Sequence, residues 1–173
     1  HEAQRLDGEA AHRTALAQLD LERRGAATID LVTPTHVAPQ VLEACLDARA
    51  RGLALPIVYN CGGYEAVEML RLLEGVVDIY LPDAKYADAA VAAETSRIPA
   101  GAVPYPEALH GALIEMHRQV GDLEVGADGV ARRGLLVRHL VMPEGLGGTA
   151  DLMRFVATRL STRTAVNLMG QYL

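Results

Sequence analysis

Apolar residues along this chain switch repeatedly between helical and strand spacing, and that alternation limits its fold more than any other feature. Over residues 9–25, Leu16 and Leu19 share one helical face and Gly25 supplies a stop. Ile29-Asp30-Leu31-Val32-Thr33 then takes strand form. Val41, Leu42, Cys45 and Leu46 return to helical spacing, in a helix that Gly52 ends. The spacing predicts a strand over 55–59, a helix over 64–73, a strand over 77–81 and an Ala- and Asp-rich helix over 86–95. A Pro- and Gly-rich loop covers 98–106. Leu109, Leu113, Met116 and Val120 mark an amphipathic helix. Between residues 121 and 134, the Asp128-Gly129 pair predicts a hairpin joining Leu123-Glu124-Val125 to Val130-Ala131-Arg132. The most apolar strand covers 135–142, a helix 152–160 and a last strand 165–169.

Strands that alternate with helices predict an α/β fold, a parallel sheet with helices outside it. The strands are nearly continuous in apolar character, as expected where both sheet faces are covered. About five strands in 173 residues make an incomplete barrel or a doubly wound sheet, in one domain over 1–173.

Composition narrows the function classes. Half the residues are hydrophobic, enough for a sizeable core, and the net charge is −6 with no Lys/Arg cluster. Nucleic acid is therefore not an expected partner. No apolar run approaches the roughly 20 residues of a membrane span, and no signal peptide is visible. Two cysteines, Cys45 and Cys61, are too few for a disulfide scaffold and too far apart for a local metal knuckle. A reducing, cytoplasmic setting is expected. The chain begins at His1 in a polar stretch with no methionine and stops at Gln171-Tyr172-Leu173 just after a strand, so truncation at both ends is expected.

In parallel α/β folds, function gathers at the carboxyl ends of the strands. There the chain delivers Thr33-Pro34-Thr35-His36, Asn60-Cys61-Gly62-Gly63-Tyr64 and Asp83-Ala84-Lys85-Tyr86. It adds Arg138 and His139, Met142-Pro143-Glu144-Gly145, and then Asn167 and Gln171-Tyr172. Mixed donors and acceptors without a nucleophile–base pair suit a cofactor. Asp83 and Lys85 lie two apart in an extended segment, so both can face one side; an exposed ion pair is the plainer alternative. Gly62-Gly63 suits close backbone approach to a ligand or a simple turn. Arg138, between Leu136, Val137 and Leu140, is costly to bury unpaired and so requires an acid or a polar cavity. His139 faces the other way as a packing residue. His12, His110 and His117 belong to helix surfaces, and Cys45 to the core.

Several segments resemble a known family. They are Ile29-Asp30-Leu31-Val32-Thr33-Pro34-Thr35-His36-Val37, Pro56-Ile57-Val58-Tyr59-Asn60 and Asp78-Ile79-Tyr80-Leu81-Pro82-Asp83-Ala84-Lys85-Tyr86. Ala131-Arg132-Arg133-Gly134-Leu135-Leu136-Val137-Arg138-His139-Leu140-Val141, Met116-His117-Arg118-Gln119-Val120-Gly121 and Val166-Asn167-Leu168-Met169-Gly170-Gln171-Tyr172 continue the series. Together they are similar to radical S-adenosylmethionine proteins related to pyruvate formate-lyase activating enzyme. The resemblance implies a partial barrel of parallel strands and a 4Fe–4S cluster held by a CxxxCxxC loop. It also implies S-adenosylmethionine on the cluster, cleaved reductively to a 5′-deoxyadenosyl radical that takes hydrogen from a substrate. In activating enzymes the substrate is a glycine of a partner protein. An electron donor such as flavodoxin or ferredoxin is the other implied partner.

By that resemblance, the cofactor-binding residues are Thr33, Thr35, His36, Asn60, Asp83, Lys85 and Arg138. Asp83 matches an acid near the ribose and a monovalent cation, and Lys85 a lysine beside the cofactor. Where many relatives carry Gly-Gly-Glu for the cofactor's amino group, this chain has Thr33-Pro34-Thr35-His36 and no carboxylate. A segment like His1-Glu2 follows the last cluster cysteine in the family, so the cluster loop and first barrel strand are expected upstream. The chain alone is then inactive. A cluster-free S-adenosylmethionine-binding or scaffold domain is one alternative. The other is an unrelated barrel lyase or isomerase that uses Lys85.

Overall fold

The structure is a computed structural model that describes residues 2–99 and 101–170, with side chains from residue 8 onward. His1, Gln171 and Tyr172, and the side chain of Glu2, lie outside the described residues. The chain runs α1 (Glu2–Arg23), β1 (Ile29–Val32), a 3-10 turn (Pro34–Val37), α2 (Ala38–Ala50), β2 (Ile57–Cys61), α3 (Val67–Leu72) and β3 (Ile79–Ala84). It continues through α4 (Ala89–Ser96), α5 (Tyr105–Val120), β4 (Glu124–Val125) and β5 (Ala131–Leu140). Last come α6 (Thr149–Phe155), lengthened by a π-helical turn (Val156–Leu160), and β6 (Ala165–Met169).

The result is a mixed α/β fold around one six-stranded, mostly parallel sheet. β1, β2, β3, β5 and β6 are parallel neighbours in that order, so the sheet is wound in one direction. It does not close on itself. β4 pairs antiparallel with the start of β5, and Gly126 N donates to Val130 O at 2.8 Å in the predicted hairpin.

Strand boundaries move from their expected places for local reasons. β2 begins after Pro56, and the preceding amides of Ala54 and Leu55 donate to the Glu22 carboxylate at 2.9 and 3.2 Å rather than to a neighbouring strand. β3 starts later than predicted and runs to Ala84, which places Asp83 inside the sheet. The predicted hairpin arm and the apolar strand after it are one strand, β5. α5 starts at Tyr105 with Pro106 in its first turn, where the missing proline N–H costs nothing. Asp88 caps α4, its Oδ1 accepting from the amides of Ala90 and Val91 at 2.8 and 2.9 Å.

The two sheet faces differ. On one, Tyr59, Cys61, Tyr80, Ala84, Leu135 and Val137 are buried together with Leu70 of α3 and Leu109, Leu113 and Met116 of α5. Next to them, Ile29 and Ile57 pack with Ala15 of α1 and Cys45 and Ala48 of α2. Each fully buried Leu or Met here contributes about 1.5–3 kcal/mol. The register places Asp30, Val32, Val58, Asn60, Leu81, Asp83, Leu136, Arg138, Leu140 and Asn167 on the other face. Val32 is 70% exposed there, and Leu81, Leu136 and Leu140 are only half-buried.

Val58 and Ile79 on this face are nonetheless buried, so the expectation that both faces are covered is corrected only towards the carboxyl edge, where the described residues leave it open. In β3, Ile79 and Leu81 share the face of Asp83, Ile79 buried and Leu81 half-buried, and Tyr80 and Pro82 stand on the helix-covered one. Apolar residues on both faces make the strand look continuous, whichever face is packed.

Candidate functional site

Three adjacent strands each place one polar side chain near the carboxyl edge of the open face. Arg138 of β5 is the register partner of Asp83 of β3. Its Nε donates to Asp83 Oδ1 at 2.6 Å, and a terminal guanidinium nitrogen donates to Asn60 Oδ1 of β2 at 3.0 Å. The arginine and aspartate side chains are 26% and 22% exposed, so the pair is only partly screened by water. Among the described residues, Asp83 Oδ2 and Asn60 Nδ2 bond to no protein group. The cluster therefore offers one free acceptor and one free donor beside the apolar surface of Val32, Leu81, Leu136 and Leu140.

The turn after β1 borders this cluster. Thr33 adopts a left-handed backbone, φ 53°, which is unusual for a branched residue. Its amide donates to Asn60 O at 2.8 Å and so fixes the turn to the end of β2. Thr35 and His36 are exposed beyond it. The Thr35 hydroxyl donates to Glu65 Oε1 at 2.7 Å.

Glu65 and Tyr105 are site residues that the sequence reading did not single out. Glu65 is 5% exposed, and the Tyr59 hydroxyl also donates to it, at 3.4 Å. Burial raises its pKa above the ordinary carboxylate range, against the opposing hydrogen bonds from Thr35, Cys61 and Tyr59. The buried Tyr105 hydroxyl receives the Lys85 amide at 3.0 Å and lies 2.9 Å from Asp83 O and 3.1 Å from Gly62 O. It ties the ends of β2 and β3 to α5, and burial pushes its pKa upward. An acid two residues after Gly62-Gly63 and a tyrosine near the end of the Pro-rich loop were the available signals.

Gly63 meets the close-approach requirement within the protein itself. A Cβ there would lie 2.5 Å from Asp83 O and 2.7 Å from Leu109 Cδ1, and φ is 78°.

Lys85 does not join the Arg138 cluster. It follows the end of β3 and lines a cleft of about 310 Å³ with Gly62, Tyr64, Arg97 and Tyr105. The partner of Asp83 is Arg138, which corrects the Asp83–Lys85 ion pair offered as an alternative. A larger cavity of about 550 Å³ lies between α3 and α5, lined by Tyr64, Glu65, Val67, Glu68, Glu107 and Gly111.

Among the described residues, the other histidines and both cysteines are engaged within the protein or buried. His139 is fully buried, with Nδ1 2.6 Å from Ala84 O and Nε2 2.8 Å from Thr149 Oγ1. His12 meets Asp47, His117 meets Asp122, and His110 stacks on Phe155 with centroids 3.8 Å apart. Cys45 and Cys61 are free thiols, both buried. Burial raises both thiol pKa values, so neither is a ready thiolate.

No group of three or more His, Cys, Asp or Glu among the described residues could hold a metal ion. The residues present therefore do not fit a 4Fe–4S cluster. What the Arg138 cluster offers is one free acceptor and one free donor next to partly exposed aliphatic surface. Among the described residues, no helix is long and apolar enough to cross a membrane.

Comparison with known proteins adds one relative. Over 119 residues, 68% of this chain, it is 30% identical to an uncharacterized protein of Methanocaldococcus jannaschii. The matched segment spans 30% of that relative's length. No protein-family model matches the chain. No solved structure gives a significant match.

Proposed function

We propose that this chain is the S-adenosylmethionine-binding part of a radical S-adenosylmethionine enzyme, and that its sheet is a partial barrel with the open face as lumen. One observation carries the reading: Arg138, Asp83 and Asn60 are bonded across three neighbouring strands at the half-exposed carboxyl end of one sheet face. In-order parallel strands support the partial barrel, because a barrel wall adds each strand beside the last. The resemblance of the strand-end segments supports the cofactor.

In this reading the chain's own groups bind and orient. Asp83 Oδ2 accepts from a ribose hydroxyl while Asn60 Nδ2 donates to a ring or ribose oxygen. Arg138 holds both residues in place and supplies positive charge beside Asp83, where the resemblance implies a monovalent cation. Val32, Leu81 and Leu136 give the adenine an apolar bed. Thr33, Thr35 and His36 form the rim next to the sulfonium side, whereas Lys85 lines a separate cleft and takes no part in this contact. The bound cofactor supplies the radical chemistry. The cluster thiolates belong to another part of the whole protein. A flavodoxin or ferredoxin is the proposed electron donor, and the substrate class includes a partner protein.

The absence of a cluster-binding group among the described residues favours one second reading, a cluster-free S-adenosylmethionine-binding domain. A single experiment separates them. The whole protein is reconstituted anaerobically with iron and sulfide, reduced with dithionite and given S-adenosylmethionine. The radical enzyme forms 5′-deoxyadenosine and methionine. Bound ligand without iron supports the second reading, and failure to bind S-adenosylmethionine contradicts both.

A further inference from the structure

α3 and α5 pack side by side on the helix-covered side of the sheet, and the groove between them changes character along its length. At the carboxyl ends of the two helices it is closed by charge. Arg118 of α5 donates from both terminal nitrogens to Glu74, just after α3, at 3.0 and 2.8 Å, and its Nε donates to Glu115 at 2.9 Å. At the amino ends it is open. There the cavity of about 550 Å³ remains because Ala66, Ala108 and Gly111 carry little or no side chain. Glu68 of α3 and Glu107 of α5 line it, one from each helix. Among the described residues neither forms a hydrogen bond or an ion pair, and no Lys, Arg or His lines the cavity. Arg71, the cation of α3, acts on Glu115 instead.

Apolar side chains extend this groove onto the surface. Val103 at its edge is 50% exposed. Leu72, one helical turn after Glu68, is 64% exposed, and Ile114, on the same face of α5 as Glu107 and Gly111, is 40% exposed. Large apolar side chains gathered round one concavity, rather than scattered singly, mark an interaction surface.

The charges say what kind of partner fits. An acid in the first turn is favoured by the helix dipole, which accounts for Glu68 and Glu107 singly. It does not account for both lining one cavity with the buried Glu65 and no balancing cation. The closed end of the same groove supplies the complement, an arginine between an acid of α5 and one just after α3. We propose that the amino-terminal half of the α3–α5 groove docks a basic, partly apolar segment of a partner polypeptide. An arginine head of that segment lies between Glu68 and Glu107, with its methylene stem on Val67 and Val103. A small organic cation would satisfy the carboxylates and leave Leu72 and Ile114 uncovered, so a polypeptide fits better. The groove is on the helix-covered side, so the inference stands apart from the cofactor reading.

The test is an amide NMR titration of the isotope-labelled full chain with a capped octapeptide of alternating leucine and arginine. The same peptide with glutamate for arginine, and N-acetylarginine amide alone, are run beside it. The arginine peptide is expected to shift amides 64–68 and 103–114. Its Kd should rise about tenfold in the double variant Glu68→Gln with Glu107→Gln, the scale of two partly exposed ion pairs. Ala66→Leu, which fills the groove, should weaken binding as well. All three changes are at exposed positions, so the variants are expected to fold, and their amide spectra check this. Equal affinity for the glutamate peptide, or affinity unchanged in either variant, overturns the proposal. So does N-acetylarginine amide binding as tightly as the peptide, which marks a small-cation pocket, and so does the absence of shifts at millimolar peptide.

Discussion

Arg138 and Asp83 sit opposite each other in the parallel register of β5 and β3, and Arg138 Nε donates to Asp83 Oδ1 at 2.6 Å on the open side of the sheet. This pairing answers why an arginine stands inside an apolar strand. It also commits only one carboxylate oxygen, so the pair holds its own geometry and keeps bonding capacity for a ligand. Removing either partner leaves the other charge partly desolvated. We predict that Arg138→Ala and Asp83→Ala each destabilise the fold by about 1–3 kcal/mol. A double-mutant cycle by urea unfolding should give about 1 kcal/mol of coupling, and additive losses would show the pair to be solvent-screened.

Gly63→Ala should be far more damaging than Gly62→Ala. At Gly63 the new Cβ meets Asp83 O at 2.5 Å and Leu109 Cδ1 at 2.7 Å with φ at 78°, whereas at Gly62 nothing lies within 4 Å. Strain and overpacking together should cost about 2–4 kcal/mol at Gly63. Thermal unfolding of the two variants checks this; equal melting temperatures would contradict it.

Glu65 predicts a pH-dependent contribution to stability. Its folded-state pKa is raised by burial, so the folded state holds the proton more tightly than the unfolded chain. That contribution is full below the ordinary glutamate value and is lost as pH rises through the raised one. The facing groups are Thr35 from the turn, Tyr59 and Cys61 from β2, and Glu68 and Glu107 across the neighbouring cavity. All the titratable ones are acids, so none offsets the trend. Glu65→Gln should therefore raise the melting temperature at pH 8 more than at pH 5. An equal shift at both would show that the carboxylate does not titrate in this way.

Glu115 predicts the opposite trend. It accepts from Arg118 at 2.8 and 2.9 Å and from Gln119 Nε2 at 2.8 Å, and Arg118 beside it lowers its pKa to about 2. Its contribution is present above about 4.3, the ordinary glutamate value, and is lost as pH falls towards 2. Arg118 is half exposed, so the effect should be about 1 kcal/mol or less. Unfolding curves between pH 5 and 2 should be flatter for Glu115→Gln than for the native chain.

The fold was legible in the sequence wherever periodicity reports burial. α5 shows its face through Leu109, Leu113 and Met116, and the Asp128-Gly129 turn marks the hairpin because that backbone favours glycine. Strand periodicity failed to show which face was packed, since Val32, Leu81 and Leu136 are apolar without being covered. Within the site, Arg138 was legible because a guanidinium in an apolar run demands an acid. Its partner was not, because Asp83 and Arg138 are 55 residues apart and meet only through strand pairing. Glu65 was missed for a related reason. An acid in a turn looks solvent-exposed until the Thr35 hydroxyl, 30 residues away, folds onto it.

The most direct measurement is an amide NMR titration of the isotope-labelled chain with S-adenosylhomocysteine, which retains the adenosyl group and cannot be cleaved. Shifts concentrated at residues 33–36, Asn60, Asp83 and Arg138, and abolished by Arg138→Ala in a chain that remains folded, are the predicted result. Shifts confined to the helix-covered side, or none at millimolar ligand, would contradict the assignment of the open sheet face as the cofactor site.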